Sequence, residues 1–282
     1  MAVEEKKVKI SYFSKNPLEC PLCGTSFRKE EMLTGGGRLI ARDISDELRR
    51  RYEPGKKVGE VYPLVYPVTV CPQCLYAAYG EDFMHISCGH KEAALSQMSK
   101  RRHDIKLIFP IIDFSKPRNL FTGTASYMLA TGCYSFHGGE RAPTFKKGLS
   151  CLRAAWLFDD LNGKYPAQGY DRISSMCYSK ALVYYEKTID LAQTGKERLD
   201  VVKNVGPDLD KNYGFQGILY ITTLLIYKYG PKDTEKLQSA KRIISKVFGS
   251  GKSSRSKPGF ILDKSKELYE RIDEKIAEIE GV

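Results

Sequence analysis

Two cysteine pairs carry the residues best suited to chemistry in this chain. Cys20-Pro21-Leu22-Cys23 and Cys71-Pro72-Gln73-Cys74 repeat one pattern, C-P-x-C. Each pair sets two thiols one tight turn apart, and two such turns supply the four soft donors of a tetrahedral ion. Proline fixes one backbone angle of the turn. Gly24 follows the first pair, where the backbone must turn tightly, and Leu75 takes the same place in the second. The predicted chemistry is structural: a Zn2+ ion held by Cys20, Cys23, Cys71 and Cys74 in a zinc ribbon. Four thiolates leave no open position for water or substrate, so the pattern points away from an enzyme.

Other reactive side chains fit less demanding roles. His85, Cys88 and His90 (HISCGH) follow the second pair closely, but two C-P-x-C turns already fill a four-coordinate shell. They are expected in an exposed loop or beside the site. Cys133, Cys151 and Cys177 fall in helical stretches, where a lone cysteine behaves as a small apolar residue. Asp159, Asp160 and Glu140 are expected to be solvated near helix ends, and His137 to act as a charge partner at the end of a helix. Gly249 to Ser254 (GSGKSS) echoes part of a phosphate loop, but it lacks the full G-x-x-x-x-G-K-[ST] spacing and no strand precedes it.

The totals suit a soluble globular chain. Its 282 residues are 42% hydrophobic and 28% charged, enough for one large or two ordinary domains. Residues 1–10 carry charges where a signal peptide needs an apolar run, which predicts a cytoplasmic protein. Eight cysteines without an export signal favour metal or free thiols over disulfides. The net charge of +11 is divided evenly, +5 in residues 1–120 and +6 in the rest, so it marks no dedicated basic domain. The longest uncharged apolar run, Gly217 to Tyr227, is too short to span a bilayer.

The elements that must position the cysteines are short strands. Val8 to Phe13 alternates. Arg38 to Ile44 reads as a strand with Arg38 and Arg42 on one face. Val65 to Val70 reads as a strand into Cys71, set at an edge or broken by Pro63 and Pro67. Tyr76, Tyr79 and Phe83 fall at helical spacing after the second pair. The basic run Ser99 to Lys106 reads as a solvated helix face or linker. A domain boundary is placed at residue 118, giving a zinc-ribbon-like domain over 1–118 and a helical domain over 119–282.

From Phe121 the pattern is helical. Asn119 or Thr122 caps a first helix running to about Phe136. Further helices are predicted from Pro143 to Leu161, Asp171 to Gln193, Leu209 to Tyr229, Asp233 to Phe248 and Phe260 to Glu280. The Gly/Ser/Lys-rich segment Gly249 to Gly259 reads as a mobile loop. Six helices suggest about three antiparallel pairs. Tyr213, Gly217, Tyr220, then Ala240, Ile244 and Val247, resemble a degenerate tetratricopeptide repeat, with a looser match at Tyr127, Thr131, Tyr134, Gly148, Leu152 and Ala155. An ordinary helical bundle shows the same stripes. The fold class expected is mainly α: a zinc-ribbon-like β region followed by a tetratricopeptide-like array.

The order of motifs resembles the bacterial family DUF2225. One block of the likeness is Cys20, Pro21, Cys23, Gly24, Phe27, Arg38, Leu39, Arg42 and Asp43. A second is Val68, Val70, Cys71, Pro72, Cys74, Tyr76, Ala77 and Ala78, and a third runs from Leu152 to Trp156. The resemblance implies a bacterial intracellular protein with a metal ribbon and helical repeats. It also implies a place in a larger assembly, such as the spirochaete flagellar motor periphery, and no catalytic residue. The function expected is a non-enzymatic scaffold or adaptor that binds protein partners, in keeping with its 18 tyrosines. Two alternatives use the same residues. A nucleic-acid-binding ribbon would draw on Arg38, Arg42, Arg49, Arg50, Arg51, Lys56, Lys57, Arg101 and Arg102, with Tyr52, Tyr62 and Tyr66 for stacking. The C-P-x-C turns also resemble rubredoxin knuckles, which would make the protein an iron electron carrier.

Overall fold

The computed structural model describes residues 9–249 and 259–281. The chain divides into two compact units, the first ending at His137 and the second starting at Gly138.

Among the described residues, the first unit is built on four two-stranded antiparallel sheets. β1 (Ser11–Phe13) pairs with β4 (Glu30–Met32), and β2 (Leu18–Glu19) pairs with β3 (Ser26–Phe27) between them. β5 (Ile40–Ile44) and β6 (Arg50–Glu53) form a hairpin with a register shift between Ala41 and Ile44. β7 (Val68–Val70) pairs with β8 (Ala77–Tyr79), placing Thr69 opposite Ala78. Both strands of this last pair are buried throughout. The expected strand over Val65 to Val70 is in two parts, a 3-10 turn at Pro63–Val65 and then β7, because Pro67 interrupts it. The helical spacing after Cys74 gave way to β8, whose pairing with β7 outweighs the local pattern.

Three helices follow: α1 (Cys88–Ser96), α2 (Met98–Ile108) and α3 (Leu120–Cys133). Asn119 caps α3 as expected: its side chain accepts from Thr122 N while Thr122 Oγ1 accepts from Asn119 N, a reciprocal capping box. α3 packs on β7, β8 and the 3-10 turn, with Tyr127 donating to the Leu64 carbonyl at 2.8 Å. A Cβ on Gly123 would stand 2.5 Å from Val65 Cβ and 2.8 Å from its Cα, so only glycine allows this approach. α3 therefore belongs with the strands, and the division falls after it instead of at residue 118.

The second unit holds α4 (Pro143–Lys164), α5 (Tyr170–Gln193), α6 (Gly214–Tyr229), α7 (Thr234–Gly249) and α8 (Gly259–Glu280). α4 lies along α5, α5 against α6, α6 against α7, and α8 against both α6 and α7. Six helices do follow residue 119 among the described residues, but the first expected pair is split because α3 and α4 fall in different units. α6 starts at Gly214, later than predicted from Leu209. Gly148 brings α4 close to α5, where a Cβ would meet the Tyr185 ring at 3.0 Å. Trp156 is 1% exposed, and Arg153 beside it is 4% exposed. The Arg153 guanidinium donates to the carbonyls of Pro207 at 2.8 Å and Asp208 at 3.3 Å, pinning the long α5–α6 connection. Asp159 is exposed, as expected near a helix end, and it also accepts from Ser174 Oγ and from Tyr178 OH on α5. All of the GSGKSS segment after Gly249 and most of the predicted Gly249 to Gly259 loop lie outside the described residues. Among the described residues, no helix is long and apolar enough to cross a membrane.

Candidate metal centre

Each cysteine pair sits in the turn of a hairpin, and the two turns share one hydrogen-bond pattern. In the β2–β3 turn, Cys20 N donates to Thr25 O and Gly24 N to Cys20 O, both at 3.0 Å. In the β7–β8 turn, Cys71 N donates to Tyr76 O at 2.9 Å and Leu75 N to Cys71 O at 3.0 Å. Gly24 has φ +70° and Leu75 has φ +56°, so both take the left-handed conformation that the spacing required. Leu75 adopts it against its own preference, while its side chain is only 6% exposed and fills the core.

The two turns bring all four sulfurs within 4.8 Å of one another. Cys20 Sγ is 3.6 Å from Cys74 Sγ, and Cys23 Sγ is 3.6 Å from Cys71 Sγ. A disulfide would hold its sulfurs about 2.05 Å apart. A regular tetrahedron of thiolates about 2.3 Å from a zinc ion has edges of about 3.8 Å. The sulfurs thus have the spacing of ligands around a shared ion. Cys20, Cys71 and Cys74 are at most 2% exposed, and Cys23 is partly exposed.

Their electrostatics favour a cation at the centre. Hydrogen bonds from the Cys71 and Cys74 thiols pull the Cys20 thiol down to about 2. The same bond to Cys20 pushes Cys71 up to about 12 and Cys74 well above the ordinary thiol range, with burial adding to both. One negative charge is tolerated and more are resisted. A divalent ion supplies the opposite charge that lets every sulfur ionise.

The surroundings hold the second turn from behind. Arg101 on α2 is 8% exposed and donates Nε and Nη2 to the Cys74 carbonyl at 3.2 and 3.0 Å. Its Nη1 reaches the Ala94 carbonyl at 2.6 Å. Arg102 Nη2 donates to the Gln73 carbonyl at 2.6 Å. The basic run read as a solvated face therefore holds one buried arginine that fixes a ligand residue, a role its neighbours in sequence do not reveal. Phe27 lies edge-on to Phe83 at 5.8 Å, and Phe83 touches Tyr76 at 5.0 Å.

His85 and His90 are exposed and Cys88 opens α1, and none of them joins the sulfur cluster. His90 Nδ1 lies instead 2.9 Å from Ser87 Oγ and 3.1 Å from the Phe136 carbonyl. His137 is not a helix-end charge partner: it is 5% exposed, stacks on Tyr76 and sets Nε2 3.0 Å from the Tyr76 hydroxyl. Cys133 Sγ accepts from Ala77 N, and burial raises its thiol to about 11 and that of Cys177 to about 12.

The DUF2225 pattern, described as an uncharacterized protein conserved in bacteria, matches residues 13–272. The chain belongs to the DUF2225 family. This DUF2225 protein is similar to an uncharacterized protein of Borreliella burgdorferi (strain ATCC 35210 / DSM 4680 / CIP 102532 / B31). The two are 39% identical over 273 residues, which cover 95% of this chain and 98% of the relative. No solved structure matches this chain. The residues that carried the resemblance now have positions: the first two blocks supply both cysteine turns and β7–β8, and the third supplies the Arg153 and Trp156 core of α4.

Proposed function

We propose that this DUF2225 protein is a non-enzymatic scaffold that binds protein partners, with a structural zinc ion at Cys20, Cys23, Cys71 and Cys74. The observation that carries the reading is the sulfur-only set of four donors within 4.8 Å, with Cys20, Cys71 and Cys74 buried and Cys23 partly exposed. Such a shell has no position for a substrate, so the ion's work is to hold the two hairpins together. The β2–β3 hairpin that carries Cys20 and Cys23 is only two residues long on each side, all exposed or half-buried, and metal binding supplies folding free energy there. A tetratricopeptide-like arrangement of α4–α8 would add helical faces for partners. In support, Tyr213, Tyr220, Ala240, Ile244 and Val247 are all buried, as the repeat pattern requires of its core positions.

Elemental analysis of the purified protein tests the metal, with about one zinc per chain and a colourless solution expected. Stoichiometric iron and a coloured protein would replace zinc with an electron-carrying site. Affinity purification of the intact chain and of a Cys71→Ser/Cys74→Ser variant tests the scaffold. Specific proteins retained by the intact chain and lost by the variant are expected. Recovery of nucleic acid in their place would overturn the reading.

A further inference from the structure

The link between α2 and α3 turns apolar side chains outward. Ile111 is 97% exposed, the highest value for a large hydrophobic residue among the described residues, and Leu107 in the last turn of α2 is 70% exposed. Pro110 between them is exposed as well. A lone exposed leucine is ordinary on a folded surface. Here three apolar residues share one short stretch, and the loop that bears them is held at both ends. Phe109 is 3% exposed, donates its N–H to the Ile105 carbonyl at 2.8 Å and sets its ring edge-on to Phe121 at 6.1 Å. Phe114 is 8% exposed and lies 5.0 Å from the Arg118 guanidinium. Between these two pegs Asp113 accepts from Ser115 N at 2.9 Å and from Ser115 Oγ at 2.6 Å, which closes the turn. The chain thus buries a phenylalanine on each side and leaves an isoleucine in water, where a polar residue would serve the fold as well.

The charge around this tip is positive. From Lys100 to Lys116 the exposed cations are Lys100, Arg102, Lys106 and Lys116, and the exposed carboxylates are Asp104 and Asp113, which leaves a surplus of two. Lys100 pairs with Asp104 at 2.5 Å and Lys116 with Asp113 at 3.8 Å, but all of these side chains are substantially exposed, and such pairs neutralise little. Arg102 gives one N–H to the Gln73 carbonyl, a contact that leaves its charge intact. Lys106 adjoins Leu107 and Lys116 follows Phe114, so a cation stands on each side of the apolar stretch.

We propose that this tip docks on an anionic membrane surface, with Leu107 and Ile111 entering the boundary between head groups and acyl chains while Lys106, Arg102 and Lys116 meet lipid phosphates. Aliphatic side chains flanked by long cationic ones are what that boundary takes up, since the apolar part leaves water and the charged ends stay among the head groups. A protein pocket would more typically be met by an aromatic or arginine anchor at the centre of the patch, and here the aromatic rings are turned inward.

The test is co-sedimentation of the metal-loaded full-length chain with vesicles of phosphatidylcholine alone and of phosphatidylcholine with phosphatidylglycerol in equal parts. Binding to the mixed vesicles is expected, falling steeply as salt is raised, with little binding to phosphatidylcholine alone. Ile111→Gln should weaken it about tenfold, as loss of one buried aliphatic side chain does, and should melt at the wild-type temperature because the side chain touches little but solvent. Adsorption by charge alone would not respond to that change. Lys106→Gln should weaken binding about fivefold. Ile111→Trp gives a second readout: its emission should move to the blue with mixed vesicles, over a constant background from Trp156, which is 1% exposed. Failure to sediment with the mixed vesicles, or sedimentation that Ile111→Gln leaves unchanged, would overturn the inference. Loss of a protein partner by Ile111→Gln in a chain that binds no vesicles would overturn it too, and would assign the tip to a pocket on that partner.

Discussion

Arg101→Met separates a residue that positions the metal turn from one that merely contributes charge. The aliphatic stem of Arg101 is replaced by a side chain of similar reach, so packing is largely kept. The guanidinium is lost, and with it two bonds to the Cys74 carbonyl and one to the Ala94 carbonyl. Two buried carbonyls are then short of donors, at about 1–3 kcal/mol each, for a cost to the first unit of roughly 2–6 kcal/mol. The Cys74 carbonyl belongs to a ligand residue, so metal affinity should fall as well, by about 10- to 100-fold. The control is Arg102→Met, which removes one exposed bond to the Gln73 carbonyl and should cost less than about 1 kcal/mol. Competition with a chromophoric chelator gives the affinities, and thermal unfolding followed by near-ultraviolet circular dichroism of the tyrosines gives the stabilities. Tryptophan emission will not report on this loss, because the single tryptophan, Trp156, lies in the second unit. If Arg101→Met released metal no faster and melted no lower than Arg102→Met, the argument that α2 holds the second turn would be wrong.

The same location of Trp156 gives a metal-removal prediction. Chelation should alter the tyrosine signal and expose residues before His137 to limited proteolysis while Trp156 emission stays unchanged, and simultaneous loss of both signals would contradict it. Native alkylation at pH 8 should label the exposed Cys88 first, since burial holds Cys133 and Cys177 near 11 and 12, and mass spectrometry of the digested protein reads the order. Within α3, Gly123→Ala should destabilise by about 1–3 kcal/mol through collision with Val65, whereas Gly132→Ala, which meets nothing within 4 Å, should stabilise by about 0.5–1 kcal/mol. Denaturant titration of the pair checks both signs.

Much of this molecule is encoded over short distances along the chain. The C-P-x-C spacing, Gly24 and the matching position of Leu75 describe a turn whose hydrogen bonds close within six residues, so residue types alone were enough to find both halves of the cysteine cluster. The Asn119–Thr122 cap and the helices beginning at Pro143 and Thr234 follow from equally local rules of capping and periodicity.

What needed the tertiary structure was every feature whose partner is remote in sequence. Tyr76 to Phe83 has helical spacing, but β7 offers backbone partners that outweigh it. Arg101 is one of several cations in a basic run, and only the fold sets it against a carbonyl 27 residues earlier. α3 reads as the first of a helical series, yet Gly123 lets it sit on Val65 and join the strands. Thr69 looks like an ordinary strand residue until its surroundings leave its hydroxyl without an acceptor. Local sequence fixes dihedral angles and caps, because those energies depend on neighbours a few residues away. Which charge is buried, and which donor lacks a partner, depends on long-range packing that no short window of sequence contains.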